Sequence, residues 1–396
     1  MTASDDFRTE VRTWLEANCP KSQRQPIVRE EQIWAGTHST FPSEDAKRWF
    51  EAMRDKGWTA PEWPSEYGGG GLNAEQAMIL SQEMKRLNCR PPLYDQGLWM
   101  LGPALLAYGN DEQKALHIPR IVRGEVRWAQ GYSEPGAGSD LASLKTRADD
   151  CGDHFLVNGT KIWTTRADVA DWIFCLVRTD PEAPKQQGIS FLLIDMTTEG
   201  ISTAPIKLIS GESEFCQTFF DNVKVPKANL VGELHGGWAV AKELLVHERK
   251  MMGNMESITE KMEVGLVDLA REYLPFDDSG KLEDRELRTK ITQHLMNDDA
   301  MQLLNMRMYY QHKAQKNAPR LPLLVKHVGT SELQRKDELI LRILGTDGLS
   351  WDSKKTTPTT HRLVRNWAFD KAHTIAGGTS EIQLNIIAKR ALGLPS

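Results

Sequence analysis

The chain has 396 residues, 40% of them apolar and 26% charged, a balance that suits a folded globular protein and excludes a disordered one. That length can bury two or three cores. A formal net charge of −5 gives no general attraction to nucleic acid or anionic membrane, and no apolar run reaches the roughly 20 residues of a membrane span.

In chain order, "MTASDDFRTEVRTWLEANCP" predicts an amphipathic helix with Ser4 as its cap. Its acidic residues do not suit a transit peptide, and it lacks the apolar stretch of a signal peptide, so a cytoplasmic protein is expected. The five cysteines (Cys19, Cys89, Cys151, Cys175, Cys216) are odd in number and never spaced C-x-x-C. That argues against a disulfide framework or any zinc site and for a reducing compartment. Apolar spacings of three and four predict helices at 44–56, 73–88 and 112–123. Between the first two, the prolines and four glycines of "WTAPEWPSEYGGGGL" require a shaped loop.

From Trp128 the pattern changes. "HFLVNGTKIWTT" carries Asn158-Gly159, a hairpin signal between β-prone runs. "DWIFCLVRT", "GISFLLIDM" and "QTFFDNVKVP" predict further short strands. After "GELHGGW" helical spacing returns, with helices expected at about 238–272, 285–315, 320–345 and 380–391. The reading is α+β multidomain: a helical domain over 1–127, a β domain over 128–236 and a helical bundle over 237–396. The separate blocks exclude a doubly wound parallel fold, and no strand–GxGxxG–helix unit is present.

Four segments can carry chemistry, each with a plain structural alternative. In "WAQGYSEPGAGSDLASLKT", Pro135, Gly136 and Gly138 force a backbone excursion beside the hydroxyls of Ser133 and Ser139. Such a loop can cradle a phosphate or a ring edge, and equally be a surface turn. Trp163, between Ile162 and the hydroxyls of Thr164 and Thr165, can cover a ring system or fill the core between strands. In "HTIAGGTSEIQ", Ser380 and Gln383 fit a capping box, while the free N–H groups of the helix start suit an anion. In "GGWAVAKELLVHERKMMGNM", Glu248 shares a helical stripe with Ala241, Leu245, Met252 and Met255. Burial there would make its carboxylate more basic; a boundary Glu paired with Arg249 or Lys250 is the plain alternative.

"YSEPGAGSD", "GTKIWTT" and "GGTSEIQLNIIAKRALGLP", in that order within an α–β–α chain, resemble the acyl-CoA dehydrogenase family over nearly the whole length. The resemblance implies an FAD flavoprotein of lipid breakdown that oxidises an acyl-CoA to the trans-2-enoyl-CoA and passes electrons to electron-transferring flavoprotein. It also implies a homotetramer or homodimer, with FAD between subunits. Carried onto this chain, the loop Gln130–Ser139 would contact the flavin, through the backbone of Tyr132 and the backbone and hydroxyl of Ser133. Trp163 and Thr165 would lie against it, and Thr379 and Glu381 would reach an FAD. Ser139 and Arg249 would meet the CoA portion, and Gly377 and Gly378 the thioester, with the Gly377 N–H on its carbonyl.

Two features depart from the family pattern. Where much of the family has its catalytic Glu, before Gly-Thr, this chain has Gly377. Members of the isovaleryl-CoA type take the base instead from a Glu-Arg pair on the helix after the β domain, which here is Glu248-Arg249. The resemblance therefore assigns the base to Glu248, with desulfinase or oxidase chemistry, or a silent subunit, as the rival readings. The Arg-x-x-Phe-Gly segment that many members use on a neighbour's FAD is also missing from "FDDSGKLEDRELRTKITQHL", where Arg288 is the nearest cation. Bases on this earlier helix go with branched or bulky acyl groups, and Tyr94, Trp99 and Met100 are expected to shape that pocket or simply pack the core.

Overall fold

A computed structural model describes residues 3–25, 27, 31–253, 265–314, 320–351 and 354–395. The chain packs as two compact units, one holding residues up to 206 and 213–247, the other holding 207–212 and the described residues from 248 onward.

The first unit opens with α1 (Ala3–Asn18), α2 (Glu44–Asp55), α3 (Ala74–Arg86), α4 (Gly102–Tyr108) and α5 (Asp111–Val122). Ser4 lies inside α1 and so is not its cap. Ser43 caps α2, and the buried Ala46, Trp49, Phe50 and Met53 make its inner stripe. Asn73 and Asn110 form reciprocal capping boxes with Gln76 and Gln113. Val11 and Leu15 of α1 meet Trp49, Met53 and Leu80 in one core.

That core is fastened by a carboxylate. Glu83 of α3 is 2% exposed and accepts from Arg8 at 2.9 Å, Arg12 at 3.0 Å and Arg86 at 2.7 Å. The hydrogen bond from Arg12, aided by Arg86 and Arg8 against the cost of burial, holds its carboxyl down to about 2. A folded-state value below the unfolded one of about 4.3 stabilises the protein above that pH and is lost as pH falls toward 2. Because the arginines are partly solvated, Glu83→Gln should cost about 2 kcal/mol at pH 7. Urea unfolding from pH 7 downward checks this: the gap to wild type should narrow below about pH 4.

The β domain holds β1 (Trp128–Gly131), β2 (Arg147–Asp150), β3 (His154–Thr165), β4 (Trp172–Arg178), β5 (Ile189–Asp195), β6 (Ile201–Ile206), β7 (Phe215–Pro226) and β8 (Leu230–Val231). The strand order is β6-β7-β3-β2-β4-β5-β8, with β1 added in parallel to β4. β4 and β5 are apolar at successive positions because both faces are covered. Ile173, Cys175 and Val177 point into a core with Phe155 and Val157, whereas Phe174 and Leu176 pack toward Leu105 and Ile118 of the helical layer. Gln113 also ties α5 to the sheet by donating to the carbonyls of Ala228 and Leu230 at 2.7 and 2.8 Å.

The hairpin expected at Asn158-Gly159 is absent: β3 runs straight through, with a register shift between Val157 and Gly159. Gly159 is required by a different demand. At φ 153° its bare Cα passes Thr146, whose Oγ1 would lie 2.5 Å from any Cβ.

Asp95 joins the layers by accepting from the N–H groups of Gly97 at 2.6 Å and Trp128 at 3.1 Å. Full burial pushes its carboxyl up to about 7, against the pull of those donors. Nearby, Tyr94 and Met100 are buried and Trp99 half-buried, with the Tyr94 and Trp99 rings edge-on at 5.7 Å, so packing accounts for them.

α6 (Gly237–Gly253) follows the sheet. The second unit then builds α7 (Leu266–Tyr273), α8 (Arg285–Lys313), α9 (Pro322–Leu344), α10 (Pro358–Asp370) and α11 (Ser380–Ile386). The single helix expected over 238–272 is thus α6 and α7, since Gly265 is extended at the start of α7. α10, capped by Thr357 and with Pro358 in its first turn, is an additional element beyond the expected ones. Leu269, Leu287, Ile340, Ile343 and Leu363 knit α7, α8, α9 and α10 together. Among the described residues no helix is long and apolar enough to cross a membrane.

Candidate active site

In the first unit the candidate residues gather where the loop after β1 meets the end of β3. Gln130 stands opposite Phe174 in the β1–β4 pair. Glu134 and Ala137 exchange backbone hydrogen bonds at 2.9 and 3.0 Å, closing a tight turn through Pro135 and Gly136. The turn is nailed down from below. The Glu134 carboxylate accepts from the N–H groups of Lys145 and Thr146 at 2.6 and 2.8 Å, and from Lys161 Nζ at 2.8 Å. Lys161 has no exposed surface and also donates to the Tyr132 carbonyl at 3.2 Å, while the Ile162 N–H donates to the Ser133 carbonyl at 2.9 Å. Burial alone would push the Glu134 carboxyl up; Lys161 and the amide donors outweigh it and hold the carboxyl below its usual range.

Strand β3 therefore grips the backbone of Tyr132 and Ser133 just before a bulge of its own. The register against β7 shifts between Lys161 and Thr164, and Trp163 takes φ 61° in the left-handed region. This is a strained conformation for a bulky residue. The strain turns the indole outward: Trp163 is 54% exposed, edge-on to Phe215 at 6.2 Å, so it does not fill the core between strands. Beside it Thr164 is fully buried and its hydroxyl has no protein partner among the described residues. Thr165 ends β3 opposite Phe215. Ser139 is exposed, and at Gly136 and Gly138 a Cβ would meet nothing within 4 Å. An exposed indole on strained backbone, next to an unsatisfied hydroxyl and open glycine backbone, fits a planar group with polar edges.

The second unit brings together the rest. Glu248, at offsets of seven and four from the buried Ala241 and Leu244, is half-buried on α6. The side chains of Arg249, Lys250 and Met252, and residue Met255, lie outside the described residues. Gly377 and Gly378 have φ 64° and 95°, which explains glycine at both places independently of any active-site role. Their carbonyls are held: Gln383 Nε2 donates to Gly377 O at 3.2 Å, and Lys326 Nζ to Gly378 O at 2.7 Å. The cap of α11 is Thr379, whose hydroxyl accepts from the Ile382 N–H at 3.3 Å. Ser380 is the first helical residue, so the capping box expected for Ser380 and Gln383 does not form; Gln383 turns back to the loop. Glu381 is exposed, its carboxyl held low by its own backbone N–H and then by the Thr379 hydroxyl. Arg288 is occupied locally, donating to the Leu282 carbonyl at 3.1 Å.

Sequence reasoning missed Lys161 and Lys326. For Lys161 a signal existed: it shares the inward parity of Phe155 and Val157 along β3. For Lys326 none did, because its partner lies 52 residues away along the chain.

Comparison with known proteins agrees along the full length. Family models for the acyl-CoA dehydrogenase N-terminal, middle and C-terminal domains match residues 2–125, 129–223 and 235–392. The chain is 32% identical to acyl-CoA dehydrogenase IpdE1 of Mycobacterium tuberculosis, over 99% of this chain and 98% of that one. It is 35% identical to acyl-CoA dehydrogenase FadE34 of the same organism over 87% of its own length, and it spans 46% of FadE34. The solved Tcur3481-Tcur3483 steroid ACAD superposes with a TM-score of 0.78 at 30% identity, covering 99% of this chain and 98% of that one.

Proposed function

Since the chain belongs to the acyl-CoA dehydrogenase family, we propose that it uses Glu248 as the base for α,β-dehydrogenation of a bulky acyl-CoA, with FAD as its flavin. The chain is an acyl-CoA dehydrogenase flavoprotein; the base, the form of the flavin and the acyl group are the proposal. The observation that carries it is the half-buried Glu248 in the same unit as a loop whose usual acid is replaced by Gly377 in left-handed backbone.

The chemistry sets what each residue must do. A thioester α-proton is weakly acidic, so its removal needs an ionised carboxylate at the α-carbon and hydrogen-bond donors on the carbonyl. Glu248 takes that proton, and the backbone N–H of Gly377, beside Gly378, steadies the carbonyl. Ser139 and Arg249 hold the CoA portion. With electron-transferring flavoprotein as the onward acceptor, uptake of the hydride from the β-carbon would be the chemistry supplied by a bound flavin. Gln130, Tyr132, Ser133, Trp163 and Thr165 hold its ring, and Thr379 and Glu381 contact an FAD. The division at 1–127, 128–236 and 237–396 belongs to the same reading, as does a cytoplasmic location.

Bulky substrates are favoured by the likeness to a steroid ACAD and by a glycine where the usual acid would stand. Anaerobic mixing with butyryl-, isovaleryl- and cholanoyl-CoA tests this: the polycyclic thioester should bleach the flavin fastest. Faster bleaching by butyryl-CoA would refute the substrate assignment.

The protein is an oligomer of acyl-CoA dehydrogenase subunits in this reading, homomeric or joined to a related chain. Met296, Leu303, Met306 and Tyr310 of α8, spaced seven, three and four apart, are each more than half exposed, a stripe that a monomer would leave in water. Native mass spectrometry should show at least a dimer, and Leu303→Glu with Met306→Glu should shift it to monomer.

A further inference from the structure

We propose that Lys326 is the positioning residue of the thioester loop: its buried ammonium anchors the Gly378 carbonyl and so fixes how the Gly377–Gly378 segment presents its backbone. This rests on the assignment of that loop to the thioester.

A lysine 2% exposed is costly unless its charge and all three donors are answered. Here one donor goes to Gly378 O at 2.7 Å, on a segment that no secondary structure holds. Peptide groups are planar and trans, so the N–H lies opposite the C=O. Drawing the Gly378 carbonyl onto Lys326 turns the Thr379 N–H away from α9. Drawing the Gly377 carbonyl onto Gln383, itself 2% exposed, turns the Gly378 N–H the same way relative to its own anchor. Two buried side chains thus dictate the orientation of two consecutive peptides in a glycine pair that could otherwise rotate freely.

The charges that face this ammonium come from three elements: Glu248 on α6, Glu381 on α11, and His327, the next residue of α9, which faces Glu381. Desolvation lowers the Lys326 ammonium from its ordinary value, and the two carboxylates pull it back up.

The test uses the full-length flavoprotein, with K326M, K326Q and K326R as variants. Hydrogen–deuterium exchange over residues 375–384 reads the loop without substrate. K326M should speed loop exchange about ten-fold with α8 unchanged. K326Q, which keeps a donor, should disturb the loop less, and K326R should stay near wild type. With cholanoyl-CoA, flavin bleaching should slow in the same order, K326M most, while flavin content holds. Unchanged loop exchange in K326M would overturn the proposal. Bleaching of E248Q at the wild-type rate would instead remove Glu248 as base and leave the loop anchor standing on the exchange result.

Discussion

Glu248→Gln is expected to slow flavin reduction by acyl-CoA at least about 10³-fold, near the upper end of what a positioned general base contributes. The substitution keeps shape and volume but offers an amide where an ionised carboxylate must take the α-proton. Flavin content should be unchanged, because the side chains assigned to the ring all lie elsewhere in the sequence. Anaerobic stopped-flow mixing with cholanoyl-CoA measures the rate, and the visible flavin spectrum measures content. A variant that bleaches as fast as wild type would end the assignment of the base.

Lys161→Met should have the second largest effect, on stability and flavin retention together. It removes the cation from a pair in which neither side chain is more than 8% exposed. Glu134 is then left as a buried carboxylate that keeps the amide donors of Lys145 and Thr146 but loses its buried cation. Breaking one side of a buried pair costs about 3–5 kcal/mol. The Tyr132 carbonyl also loses the Lys161 ammonium, so the loop assigned to the flavin slackens and the purified protein should carry less than half of its normal flavin. Adding Glu134→Gln should recover part of the stability, since no uncompensated charge remains, but not the flavin. Urea unfolding of both single variants and the double variant gives the coupling. A double variant whose loss equals the sum of the two single losses would mean that the pair is not coupled.

The α–β–α order, the apolar strands β4 and β5 and the helical spacing of α2, α3 and α5 were legible because burial writes itself into residue periodicity. Local chemistry was more ambiguous. Asn-Gly suits a hairpin and a bulge alike, and only the approach of Thr146 decides between them. Thr379 and Ser380 are both able to cap, and the choice rests on where the chain arrives from its preceding turn. Of the candidate site, the loops and Glu248 could be named from sequence, whereas the lysines that hold them could not be assigned partners. Lys161 and Lys326 are read by default as surface charges, and what buries each is a contact 27 and 52 residues distant.

The unbroken course of β3 through Asn158-Gly159 bears on how the protein ages. An asparagine before glycine is the pair most prone to deamidate, by attack of the following backbone nitrogen on the side-chain carbonyl carbon. Here the Asn158 Oδ1 accepts from the Asn222 N–H at 2.8 Å and its amide faces Asn222 across the strand pair, so the group is held on the neighbouring strand and away from its own backbone. Stored folded protein should therefore keep Asn158 intact long after the unfolded chain has begun to acquire an extra negative charge, and peptide mapping over weeks would date its unfolding history.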